Sequence, residues 1–182
     1  MRDIYVVGDA NVDIIVPYPR FLNEERTLVD YPNPELVGGG TSANTAVALA
    51  KLGLPVSFLG TIGDDQYGKY IQKDFKEQGV NTADLIVDPK LNTVGVFAFI
   101  DENGERYLWG WPRVDQAFKV LERDKVPFEK IEAADWVHSS GMSLVYDTSA
   151  RTEIIEIFKK AYEAGVPTSF DLSLRVDDGK LD

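Results

Sequence analysis

The chain has 182 residues, 44% of them apolar, with a formal net charge of −11 and no cysteine. That length suffices for one domain with a real core, and the composition argues against disorder. The negative charge excludes general nucleic-acid binding, and the missing thiols exclude disulfides, cysteine-held zinc and thiol catalysis.

No apolar run approaches the ~20 residues of a membrane span, and "MRDIYVVGD" is too short for a secretory segment. A cytoplasmic protein with no membrane and no nucleic-acid partner is expected. An anionic small molecule stays possible if a few arginines converge on its site.

"IYVVG" (Ile4 to Gly8) reads as a short buried strand stopped by glycine. From Ser42 to Leu52, Ala43, Ala46, Val47 and Ala50 recur at helical spacing, and their small side chains predict a helix close to a sheet. "VSFLG" (Val56 to Gly60) is the next buried strand. Asp65 to Gln78 is an amphipathic helix with Tyr67, Tyr70, Ile71 and Phe75 on one face and Gly79 as its stop. Strand, helix, strand, helix is the pattern of a parallel α/β sheet.

The middle of the chain departs from that rhythm. "TVGVFAFI" (Thr93 to Ile100) passes through "DENG" into "ERYLWGW", which predicts a β-hairpin. "VDIIV" (Val12 to Val16) and "TLVDY" (Thr27 to Tyr31) are further strand candidates. Together these predict a small accessory sheet with strands within about residues 12–37 and 92–113. The repeat resumes with "DWVHSSG", a helix capped by Asp147 or Thr148 that buries Ile154, Ile157, Phe158 and Ala161, and the strand "VPTSFDLSLR". A parallel edge would then be left for a further unit to cover. A portion of a longer molecule and a natural small domain both fit that pattern.

Gly38, Gly39 and Gly40 run straight into the alanine-rich helix. A P-loop would need a lysine that is absent before Lys51. "GGGTSA" scans as a dinucleotide fingerprint, but it does not follow the first strand as that motif requires. A glycine turn that merely seats the helix on the sheet is a third reading. The fourth joins this stretch to "GDANVD", which places Asn11 and Asp13 just past the C-terminal end of the first strand, where open α/β sheets bind ligands. A carboxylate accepts two hydrogen bonds at once, which suits vicinal sugar hydroxyls, and Asn44 in the first helical turn can donate and accept toward them. The glycines would let the ring lie against bare backbone, with the helix N-terminus favouring negative charge nearby. Singly, Asp13 is an ordinary loop acid and Asn44 an ordinary cap; together they favour a polyol site.

"VVGDANVDII", "GGGTSANTAVALAKLG", "FLGTIGDDQYGKYI" and "VPTSFDLSLR" resemble, in order and spacing, the ribokinase-like (PfkB) sugar kinases. The resemblance implies a three-layer α/β sandwich with a mainly parallel central sheet and a small β-sheet lid. It also implies ATP-dependent phosphorylation of a sugar or nucleoside hydroxyl, with ATP and Mg2+ as cofactors and a possible homodimer through the lid. Carried over, Asn11, Asp13, Gly38, Gly39, Gly40 and Asn44 resemble the family's sugar-binding residues. Asp171 and Arg175 in "DLSLR" would stand at the cleft edge, and Arg113 resembles a second arginine of members that take acidic sugars. Thr41 stands where ribokinases often carry lysine, which weakens ribose as the substrate.

The family's second signature, roughly D-T-x-G-A-G-D, does not occur. It supplies the anion hole and the catalytic base, so no catalytic residue is assigned here. By this resemblance the 182 residues form the N-terminal, sugar-binding part of one ribokinase-like domain, inactive alone. A non-catalytic sugar-binding or interaction domain, and a nucleoside kinase of the same family, stay open. His138 stands alone, so no metal site is expected and a structural role is favoured. Gly63, Asp64 and Asp65 read as a turn and helix cap, and Trp109 and Trp111 as either sugar cover or lid packing.

Overall fold

The computed structural model describes residues 3–17, 33–110 and 114–173. β1 (Ile4–Val7) is central in a parallel sheet whose order is β10-β9-β1-β4, with β4 at Val56–Leu59, β9 at Trp136–Ser140 and β10 at Thr168–Asp171. Successive residues of a strand face opposite ways, and β1 uses this directly. Val6 joins the core formed with helices α1 (Thr41–Lys51) and α2 (Gln66–Gln78), while Tyr5 and Val7 join the core beneath α3 (Phe128–Glu132) and α4 (Ser149–Glu163). The sheet is therefore the middle of three layers, as the resemblance implied. Ala43 and Ala46, both buried, let α1 lie close over β1 and β4.

A second sheet has the order β3-β2-β7-β8, built from β2 (Asn11–Pro17), β3 (Glu35–Gly39), β7 (Gly95–Ile100) and β8 (Arg106–Gly110). β7 and β8 form the expected hairpin, and β2 joins them in parallel. The short strands β5 (Thr61–Gly63) and β6 (Ile86–Asp88) pair separately. The strand expected at 27–31 lies outside the described residues.

The helix boundaries have local chemical causes. Asp65 caps α2, its Oδ1 accepting from the Tyr67 and Gly68 amides at 2.9 and 2.7 Å, and Gly79 ends the helix in the left-handed conformation. Asp65 Oδ2 also accepts from the amide of buried Thr93 at 2.7 Å, which ties the approach to β7 onto α2. Of the two cap candidates for α4, Thr148 is the one used, accepting from Arg151 N at 3.4 Å.

Candidate sugar site at the lid base

The three glycines do not form a turn. Gly38 and Gly39 end β3, paired antiparallel with Val12 and Asn11, and only Gly40 takes positive φ, at 103°. The reason is cross-strand pairing with β2, which outweighs the poor strand propensity of glycine. What each glycine approaches is a polar group of the chain itself. A Cβ on Gly39 would sit 2.7 Å from Asp13 Oδ2 and 2.8 Å from Asn11 Nδ2. On Gly38 it would meet Asp74 Oδ2 at 2.6 Å, and on Gly40 the Asp9 carbonyl oxygen at 2.8 Å and Asn11 Oδ1 at 2.9 Å.

Asn11 and Asp13 are two apart on β2 and so share a face; Asn11 Nδ2 donates to Asp13 Oδ1 at 3.0 Å. Asn44 is exposed one helical turn into α1 and caps nothing. Asn11, Gly38, Gly39 and Asn44 line a cavity of about 410 Å³ between β3, α1 and α2. Asp13 and Gly40 adjoin it through Asn11. Asn11, Asp13, Gly39 and Gly40 thus meet at the base of the second sheet with Asn44 beside them, while Gly38 is turned to the opposite face, toward Asp74.

The N-terminus of α1 differs from expectation in what it offers. Asp9, which the sequence reading passed over, takes up its amides. Thr41 N donates to Asp9 Oδ2 at 2.8 Å, Ser42 N to Oδ1 at 3.2 Å, and Ala43 N to the Asp9 carbonyl at 3.1 Å. Ser42 Oγ and Ser140 Oγ donate to the same Oδ1 at 2.9 and 3.1 Å. Asp9 is 6% exposed. The negative charge favoured at this helix end is therefore supplied from inside the chain, and these amides are not free for a ligand. No local signal could have disclosed this, because donor and acceptor lie 32 residues apart.

Asp171 ends β10 on the same edge of the central sheet as the β1 end, in register with Ser140. It does not line the cavity; its Oδ1 accepts from Ser173 N at 3.0 Å. Arg113 and Arg175 lie outside the described residues, as does Trp111. Trp109 is placed by register: it pairs with Phe97, which pairs with Ile14, the residue after Asp13. Trp109 therefore lies on the face opposite Asp13.

His138 is half-buried on β9. Its Nδ1 shares a 2.8 Å hydrogen bond with Ser169 Oγ, which also accepts from Trp136 Nε1 at 2.9 Å. Burial lowers its pKa, with Asp171 pulling the other way.

A family model of the pfkB carbohydrate kinases matches residues 1–180. The chain belongs to the pfkB family of carbohydrate kinases. It is 36% identical over 177 residues to a fructokinase of Vibrio alginolyticus, covering 96% of this chain and 52% of that protein. It is 29% identical over 175 residues to the aminoimidazole riboside kinase of Salmonella typhimurium, covering 96% of this chain and 50% of that one. Among solved structures, a Xylella fastidiosa fructokinase with bound ATP superposes with a TM-score of 0.83 at 26% identity, covering 98% of this chain and 54% of that one. The chain thus spans about half the length of the relatives it matches.

This pfkB family chain holds its motifs together for reasons visible in the geometry. In "GDDQYG", Gly68 lies against the Gly63 carbonyl, an approach that a side chain would prevent. Among the described residues no cluster of three or more His, Asp or Glu could hold a metal, and no helix is long and apolar enough to cross a membrane.

Proposed function

We propose that this chain supplies the sugar-binding portion of an ATP-dependent sugar kinase, which moves the γ-phosphoryl group of ATP to a sugar or sugar-acid hydroxyl. The observation that carries the reading is the convergence of Asn11, Asp13, Gly39 and Gly40 beside Asn44, with Gly38 contributing bare backbone next to them. Asp13 accepts two hydroxyls, Asn11 and Asn44 fix their orientation, and the unsubstituted glycines keep side chains out of the way. Bound Mg-ATP supplies the phosphoryl group and neutralises its charge. The α1 amides are already taken by Asp9, so the triphosphate and its Mg2+ fall to residues outside those described. By the family resemblance Arg113 and Arg175 are assigned to an anionic group of the sugar or of ATP, and Asp171 to the edge of the cleft. The cytoplasm, where ATP is available, is the expected location.

The second sheet serves as lid and as dimer surface. Its face away from Asp13 carries Phe97, Phe99, Trp109 and Tyr107, with Phe97 at 6.0 Å from both Phe99 and Trp109. Trp109 and Tyr107 are each 67% exposed, a large aromatic area for a surface sheet, which a second copy would cover.

Calorimetry with fructose and related sugars tests the binding site. Asp13→Ala removes charged hydrogen bonds worth about 1.5–3 kcal/mol each, so affinity should fall at least ~10-fold. Unchanged affinity in that variant would refute the assignment. Sedimentation of Trp109→Glu tests the dimer: the wild type should dimerise and the variant should not.

A further inference from the structure

The hairpin between β7 and β8 turns through Asp101, Glu102, Asn103, Gly104 and Glu105, at the end of the second sheet remote from Asn11 and Asp13. Asn103 alone among the asparagines of this sequence precedes a glycine. Both residues are exposed, and a Cβ on Gly104 would meet nothing within 4 Å. The peptide nitrogen that follows Asn103 is therefore unhindered by a side chain of its own or of a neighbour.

That nitrogen is a nucleophile for the Asn103 carboxamide. Gly104 N attacks Asn103 Cγ, the new N–C bond closes a five-membered imide, and the bond from Cγ to Nδ2 breaks. Ammonia leaves with the proton that Gly104 N gives up. Water then opens the imide at either carbonyl, which yields aspartate or, with the backbone rerouted through Cβ, isoaspartate.

The fold acts on this reaction through Asp101. Its Oδ1 accepts from Asn103 N and from Glu105 N, both at 2.9 Å, and its carbonyl accepts from Gly104 N at 3.0 Å. Asp101 N donates in turn to the Glu105 carbonyl at 2.9 Å. The attacking nitrogen is thus hydrogen-bonded, and the amides on either side of it are tied to one carboxylate oxygen. Gly104 holds the left-handed φ of 81° that closes the turn. Bringing Gly104 N onto Asn103 Cγ takes rotation about the Asn103 Cα–C bond, which swings that nitrogen off the Asp101 carbonyl. Ring closure has to wait for the turn to open.

We propose that Asn103 is a site of spontaneous covalent modification, converting to aspartate and isoaspartate through the Gly104 imide at a rate set by the hydrogen bonds Asp101 makes across the turn. The product adds a carboxylate to a tip that already holds Asp101, Glu102 and Glu105. Isoaspartate also adds a backbone carbon to a turn that those hydrogen bonds close, so the second sheet loosens from its tip while Asn11 and Asp13 are untouched.

The test follows the purified chain over time at neutral pH by peptide mapping and mass spectrometry, beside a synthetic peptide of residues 98–108 that lacks the sheet. Conversion of amide to acid should appear at Asn103 before any other asparagine, and more slowly in the chain than in the peptide. Asp101→Ala should speed conversion in the chain at least ~5-fold, the factor that one hydrogen bond of ordinary net strength represents. The same change in the peptide should leave its rate alone. Asp101→Asn keeps an oxygen acceptor and should stay slow, which separates the hydrogen bonds from the charge. Earlier conversion at another asparagine, equal rates in chain and peptide, or an Asp101→Ala chain no faster than the wild type would each overturn the proposal.

Discussion

Replacing Asp9 by asparagine keeps the side-chain shape and tests what holds the glycine–helix junction in place. Oδ1 accepts three hydrogen bonds, from Ser42 N, Ser42 Oγ and Ser140 Oγ, while Oδ2 accepts one, from Thr41 N at 2.8 Å. The amide oxygen of asparagine best serves the three-donor position, which turns its NH2 group toward the Thr41 N–H. One charge-assisted bond is then lost and a helix amide is left without an acceptor, which costs about 1–3 kcal/mol. Loss of a negative charge at the helix N-terminus adds about 0.3–1 kcal/mol. A loss of roughly 2–3 kcal/mol follows, and Asp9→Ala, which strands both helix amides and leaves the Ser42 and Ser140 hydroxyls only each other at 3.0 Å, should lose more. In urea, at an m-value of about 2 kcal/mol/M, the midpoint of Asp9→Asn should drop by about 1–1.5 M. A change within about 0.5 kcal/mol, the range of neutral surface substitutions, would show that the junction does not depend on this carboxylate.

Gly40→Ala should destabilise by about 1–3 kcal/mol in the same assay, because its φ of 103° is strained for a side chain and the Asp9 carbonyl 2.8 Å away is backbone that cannot move aside. Asp65→Ala removes the α2 cap and leaves the buried Thr93 amide unpaired, so thermal unfolding should report a loss of roughly 2–4 kcal/mol, with Asp65→Asn intermediate. His138 is the single histidine, and its folded pKa is lowered from 6.5, so the unfolded chain binds more protons there. Stability should therefore fall as pH drops below about 6.5 toward the folded value; urea midpoints between pH 7.5 and 5.5 should show this slope in the wild type and a flatter one in His138→Gln.

The strands of the central sheet and the three long flanking helices α1, α2 and α4 were legible along the chain, because apolar spacing, Asp65, Gly79 and the turn residues act over a few positions. The pairing of Asn11 with Asp13 and the grouping of the glycines with Asn44 were legible too, through motif spacing. Three features were not, and each joins distant segments. Asp9 caps a helix that starts 32 residues later. Gly38, on β3, is bare because Asp74, on α2, fills the space where its side chain would stand. Trp109 is turned from the Asp13 face by the register of β7 against β2 and β8, and a one-residue shift would reverse it. Sequence patterns report which face of a segment is apolar and where the segment stops. Which polar groups meet across the space between segments depends on register and packing distance, and those are fixed only when the layers close on one another.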